Sequence, residues 1–311
     1  MSAKKQQVFC LKKVSLQRNR CPNEKEIINE GKRLMNPFVF ACITPHGGEI
    51  IPELQGAKPD RMEKTRKSME SLGALMDEAR PDSLIVLTPH GTRINGQFSV
   101  AVSERLEGEV VENEAFFRME RKTDLMLASS ILAEAEAGGL PAAGINYGTS
   151  AGPLSCLPLD WGSIVPLRFM PEVPVVVITP SREITYEQHI AFGKAIRKAA
   201  GESGRKVGLI ASCDWSHTHD SEGPYGYHPA AEELDRRTAE LIESGRLEDF
   251  ALFDPELVEN AKPDGIWQTL ILAGAIPQEE RDSRLLSFEA PTYFGLICAA
   301  YYQNREAMEN D

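Results

Sequence analysis

Phe38-Val39-Phe40-Ala41-Cys42-Ile43-Thr44-Pro45-His46-Gly47-Gly48 is the stretch that decides the fold. A short apolar run stops at Pro and Gly, which reads as a buried strand followed by a loop. The ending recurs. Ser83-Leu84-Ile85-Val86-Leu87 runs into Thr88-Pro89-His90-Gly91, and Val173-Pro174-Val175-Val176-Val177-Ile178 runs into Thr179-Pro180-Ser181. A fourth apolar run, Lys206 to Ser212, leads into Cys213-Asp214-Trp215-Ser216-His217-Thr218-His219.

Between and after these runs lie segments that read as helices: about Asp60 to Arg80, Glu114 to Ala137, Ile184 to Ala200, Ala230 to Ser244 and Gly265 to Ala275. Phe98 to Ser103 alternates apolar and polar residues as a half-exposed strand does, and Arg284 to Phe288 reads as a further strand. Residues 139 to 170 are rich in Gly and Pro, and an internal loop of that length is expected to serve function. Strands alternating with helices predict an α/β fold: a mixed, largely parallel central sheet flanked by helices. The expected organisation is a polar N-terminal extension over residues 1–36 and a single catalytic α/β domain over 37–311.

Open α/β sheets bind ligands at the carboxyl ends of their strands. Proline cannot donate to the sheet ladder, so each Pro sends the chain out of the sheet and delivers the next residue to its rim. His46 and His90 both take that place, each before a Gly that gives the backbone room beside a ligand. The two are expected to face one site. Neutral imidazole is the commonest side-chain metal ligand, so a shared metal at the strand-end rim is the simplest use for the pair.

A redox-active iron would take a carboxylate as third ligand, leaving open positions for substrate and oxygen. Asp264 at a helix start and Glu289 at a strand end are the candidates; residue types alone do not choose between them. His217 and His219 alternate, so in an extended segment they face opposite ways and one enters the site. His228, before Pro229, reads as structural, and His189 as ordinary helix surface. Arg93 and Arg182 stand where a substrate carboxylate could be met.

The bulk composition agrees. The 311 residues are 42% hydrophobic and 26% charged, the profile of a globular chain with a sizeable core. Forty-six acidic against 34 basic residues give a net charge of −12, which disfavours nucleic acid and anionic membranes as partners. Cys10, Cys21, Cys42, Cys156, Cys213 and Cys298 are scattered without close pairing, as in a reducing, cytoplasmic setting. No apolar run approaches a membrane span, and the basic N-terminus lacks a secretory core.

Taken in order, Pro45-His46-Gly47-Gly48, Thr88-Pro89-His90-Gly91, Asp214-Trp215-Ser216-His217 and the segment Asp264 to Ala275 resemble the class III extradiol ring-cleavage dioxygenases. That superfamily holds the protocatechuate 4,5-dioxygenase catalytic subunit, aminophenol and DOPA dioxygenases, and the non-enzymatic Memo-like proteins. The resemblance covers most of residues 38 to 303. It implies Fe(II), with Zn(II) or Mn(II) as other ions such a site accepts, held by His46 and His90. It points to Asp264 as third ligand, where the family usually has Glu, with Glu289 as the alternative. It casts His217 as the base that takes a proton from the substrate hydroxyl.

One departure stands out. Many members carry Asp-His-Gly where this chain has Asp160-Trp161-Gly162. Trp161 can stack on a ring but cannot donate a catalytic proton at neutral pH. His219 or Tyr147 would then supply that function, and Trp161 and Tyr147 would frame the ring. The expected partners are a small aromatic substrate, a catechol or 2-aminophenol, and O2. A homo-oligomer and a separate small subunit both fit the resemblance. Two other readings share the ligand set: a Zn-dependent hydrolase and a Memo-like binding protein.

Overall fold

Each Thr-Pro ending closes a strand of one large sheet in the computed structural model, which describes residues 36–303. Along the chain come β1 (Phe38–Thr44), helix α1 (Glu63–Ala79), β2 (Ser83–Leu87), β3 (Phe98–Ala101), β4 (Arg105–Glu112) and β5 (Ala115–Lys122). Then follow α2 (Leu125–Ala137), β6 (Ala142–Ile145), β7 (Cys156–Pro158), α3 (Trp161–Leu167), β8 (Val175–Thr179), α4 (Tyr186–Ser203) and β9 (Val207–Ser212). The chain continues through α5 (Ala230–Glu243), α6 (Pro255–Ala261), α7 (Ile266–Ala275), β10 (Arg281–Glu289) and β11 (Leu296–Gln303). The expected extension over residues 1–36 lies, but for Asn36, outside the described residues.

The main sheet has eight strands in the order β10-β11-β1-β9-β2-β8-β3-β6. Its centre is parallel: β1 with β9, β9 with β2, and β2 with β8. The margins are mixed, with β11 antiparallel to β1 and β3 antiparallel to β8. This is the mixed, largely parallel sheet flanked by helices that the alternation of elements predicted.

Central strands covered on both faces need apolar residues throughout rather than in alternation. β2, β8 and β9 are buried at every position. Successive side chains of β1 serve opposite layers. Ala41 and Ile43 join the core with Ile131, Phe192 and Ile271 of α2, α4 and α7. Phe40 and Cys42 join the core with Met69, Leu72 and Ile164 of α1 and α3. Each such aliphatic side chain contributes about 1.5–3 kcal/mol when fully buried. The parallel register brings the ends of β1, β2, β8 and β9 to one rim, because Thr44 pairs with Ser212 and Leu87 with both Ala211 and Ile178.

Three readings are corrected. The stretch Glu114 to Ala137 is not one helix: Ala115–Lys122 pairs with β4 as a hairpin, and helix begins only at Leu125, capped by Asp124. The Gly/Pro-rich residues 139 to 170 carry β6, β7 and α3, with Asp160 as the cap of α3. His189 is fully buried rather than on the surface, because the ring packs edge-on against Phe98 in the core. Among the described cysteines none is in a disulfide: Cys42, Cys213 and Cys298 are buried, and Cys156 is half-buried. No helix among the described residues is long and apolar enough to cross a membrane.

Candidate metal centre

His46 follows the end of β1 and is 1% exposed. Its backbone N–H donates to Asp214 Oδ1 at 2.9 Å, tying the loop after β1 to the loop after β9. Its ring is oriented by Ser212, whose hydroxyl donates to the Gly162 carbonyl. With that single proton committed, Ser212 Oγ accepts from His46 Nδ1–H at 3.0 Å. In the neutral ring the Nε2 lone pair then faces the cluster, the arrangement by which a hydrogen bond at one ring nitrogen sets the other for a metal.

His90 is positioned from the same helix end. Asp160 caps α3 by accepting from Ser163 N–H at 3.1 Å, and its Oδ1 also accepts from the Thr88 hydroxyl at 2.6 Å. Thr88 Oγ1 in turn accepts from His90 N–H at 3.3 Å. Gly162 permits this close approach: a Cβ there would sit 2.5 Å from Thr88 Oγ1. Trp161, 47% exposed, lays its indole on the His90 ring, with centroids 4.1 Å apart and planes 23° from parallel.

Asp264 brings a carboxylate to the two imidazoles. It precedes α7, whose cap position is Gly265 and carries no side-chain cap bond. Asp264 Oδ1 instead accepts from Asp214 N–H at 2.9 Å. That leaves Oδ2 at 3.3 Å from His46 Nε2 and 3.5 Å from His90 Nε2. The two imidazole Nε2 atoms are 3.1 Å apart. His46, His90 and Asp264 thus present three ligand atoms in a nearly equilateral triangle. Nitrogen and oxygen ligands about 2.1 Å from one divalent ion lie at such separations.

Opposite charges meet closely there. Asp214 Oδ2 lies 3.4 Å from His46 Nε2, so two buried carboxylates converge on one imidazole. Burial pushes His46 down, yet Asp214 and Asp264 outweigh it and hold the ring up at about 9. Burial also raises Asp264, but the two imidazoles more than offset it and keep its carboxyl below the usual range. Asp214 goes the other way: burial dominates and raises it. Buried carboxylates of this kind need a partner of opposite charge, and the His46 imidazole faces both of them.

His217 stands nearby. Its Nδ1–H donates to the Lys262 carbonyl at 2.7 Å, which leaves Nε2 as an acceptor in the neutral ring. Its ring lies against Phe294, with planes 17° apart. Two cavities open on the cluster. One of about 410 Å³ is lined by His90, Asp264, His217, Tyr225 and Trp267. The other, about 850 Å³, is lined by His46, Asp214, Trp161, Tyr293 and Phe294.

Three expected residues are elsewhere. Glu289 is not brought to the cluster: its carboxylate accepts from Thr65 N–H at 2.9 Å and from the Thr65 hydroxyl, tying β10 to α1. His219 bonds through Nε2 to the fully buried Asp235 at 2.7 Å, whereas His217 bonds to the Lys262 carbonyl. Tyr147 is 67% exposed and lines neither cavity, its backbone N–H being held by Ser103 Oγ at 3.1 Å. Residue-type reasoning missed Ser212, Thr88, Asp160 and Asp214 as supports. The signal was present, since a Ser or Thr precedes each strand-end loop that carries a histidine.

The comparisons with known proteins bear on the family and the fold. The family model described as the catalytic LigB subunit of aromatic ring-opening dioxygenase matches residues 40–299. A protein of Clostridium acetobutylicum is 28% identical over 252 residues, 79% of this chain, which spans only 54% of that relative's length. The 2-aminophenol 1,6-dioxygenase beta subunit of a Pseudomonas species is 28% identical over 256 residues, covering 72% of this chain and 80% of the relative. A crystal structure of an uncharacterized Escherichia coli K12 protein shares the fold, with TM-score 0.56 and 13% identity over 84% of this chain and 98% of that one.

Proposed function

The chain belongs to the family of the catalytic LigB subunit of aromatic ring-opening dioxygenase, and from that premise we propose that it opens the ring of a catechol or 2-aminophenol with O2. The triangle of His46 Nε2, His90 Nε2 and Asp264 Oδ2, of which His90 and Asp264 share a cavity wall with His217, carries this reading. In it these three residues hold Fe(II) as a two-histidine, one-carboxylate set with open positions. The bound iron would supply Lewis acidity and the one-electron chemistry that lets an aromatic ring react with O2.

The chain's own residues then have separate tasks. His217 Nε2 accepts the proton of a ring hydroxyl, and the Lys262 carbonyl keeps that nitrogen free by holding Nδ1–H. Phe294 backs the His217 ring and limits its rotation. Trp161 takes an orienting role, through its stack on His90, in place of a proton-donating one. Buried Asp214 fixes the His46 loop through its backbone. A partner subunit is part of the proposal, supported by the Pseudomonas relative's name as a beta subunit.

The test is O2 consumption by anaerobically Fe(II)-loaded protein over a panel of catechols and 2-aminophenols. Uptake with a new visible absorbance, absent in His46→Ala, is expected. Stoichiometric iron with no uptake across the panel, with and without a co-expressed small subunit, contradicts the reading.

A further inference from the structure

The third Thr-Pro ending carries no histidine, and the site described above leaves it unused. It closes β8, hydrogen-bonded beside β2, so it reaches the same rim as His90. Ser181 is anchored there: its Oγ accepts from Gly96 N–H at 2.8 Å and its hydroxyl donates to Glu183. The next residue, Arg182, lines the 410 Å³ cavity together with His90, Asp264 and His217. Arg93 does not.

The Arg182 guanidinium carbon lies over the Trp267 ring, 4.5 Å from its centroid. Trp267 is 8% exposed and stands three residues beyond Asp264. Lys262, the other cation of this cavity, is bonded to Glu259 at 2.9 Å. Arg182 makes no hydrogen bond or ion pair with any described residue. An indole against one face steadies a guanidinium and leaves its N–H edge free. That edge is a planar fork matched to a carboxylate. The larger cleft is more acidic: six carboxylates line it, Glu112, Asp220 and Glu222 among them, against Lys58 and Arg61, and Arg61 is paired with Glu49. An anionic substituent is repelled on that side and attracted on this one.

We propose that Arg182, steadied by Trp267, docks a carboxylate substituent of the aromatic substrate, so that the chain prefers acid-bearing rings over unsubstituted ones. This rests on the ring-opening reading. The cavity is within the size range of small-molecule sites, and the fork at its rim leaves the adjacent heteroatoms of the ring to face His217 and the cluster.

Calorimetric titration of the full chain loaded with Zn(II), which is inert to O2, tests the proposal without turnover. The probes are catechol and a dihydroxybenzoate with adjacent hydroxyls. Wild type is expected to bind the acid about ten-fold more tightly than catechol. Arg182→Gln is expected to erase that preference while catechol affinity stays unchanged, and Arg182→Lys to retain part of it. Catechol binding also reports that each variant is folded. A preference that survives Arg182→Gln, or that wild type lacks while binding catechol, overturns the role of Arg182 and leaves the ring-opening reading standing. Failure of wild type to bind either probe overturns both.

Discussion

Asp264 and Asp214 hold each other through the backbone: Asp264 N–H donates to the Asp214 carbonyl at 3.2 Å, and Asp214 N–H donates to Asp264 Oδ1 at 2.9 Å. The pair locks the loop after β9 to the start of α7. It spends one oxygen of Asp264 on structure and aims the other at His46 and His90. Asp264→Asn keeps the acceptor for Asp214 N–H and loses the charge. Its affinity for divalent metal is expected to fall roughly 100-fold or more, beyond the range for residues that only support ligands. Glu289→Gln is expected to leave affinity unchanged. Competition titration with a chelating dye reads both, and equal losses in the two variants would contradict the assignment of Asp264.

Ser212 relays between Gly162 and His46. Ser212→Ala removes the acceptor for Nδ1–H and frees the ring to change tautomer. A loss of about 10–100-fold in metal affinity is expected, with the fold retained by circular dichroism. An unchanged affinity would show that the ring is oriented by other means.

His217 is expected to act on the proton and not on the metal. His217→Gln should lower kcat by about 10²–10⁴-fold while metal stoichiometry stays at the wild-type value. Steady-state kinetics alongside metal analysis separate the two effects. Loss of metal in this variant would move His217 into the ligand set.

His189 makes stability depend on pH. Burial pushes its imidazole down to about 4, from 6.5 in the unfolded chain. Between those values the unfolded chain binds a proton that the folded one refuses. The folded state therefore keeps its full advantage above about pH 6.5 and loses it progressively as pH falls towards 4, by about 3 kcal/mol in total. His189→Phe keeps a ring against Phe98 and removes the titration. Denaturant melts of wild type and variant should converge at neutral pH and diverge in acid, with the variant the more resistant. Parallel pH profiles would contradict the account.

The parts of the fold that were legible are those in which burial writes itself into continuous apolar runs. β1, β2, β8 and β9 were readable for this reason, and with them the rim carrying His46, His90 and His217. The β4–β5 hairpin was not. It turns at Asn113 and Glu114, both at positive φ (50° and 62°), without the glycine that ordinarily marks such a turn. Asn113 is held by a tertiary bond, its amide donating to the Leu54 carbonyl at 2.8 Å, which local reading cannot see. The choice between Asp264 and Glu289 was closed to sequence for the same reason. Thr65, the partner that occupies Glu289, is 224 residues away in the chain. The supporting roles of Asp160 and Thr88 likewise depend on a bond across 72 residues.

The measurement that bears most directly on the central claim is turnover of a catechol or 2-aminophenol by the Fe(II)-loaded protein under isotopically labelled O2, with the product analysed by mass spectrometry. A ring-opened product carrying both labelled atoms, formed by wild type and not by His46→Ala, is the predicted result. A product formed without label, or equally well in the absence of O2, would contradict it and assign the His46, His90 and Asp264 cluster to hydrolytic chemistry.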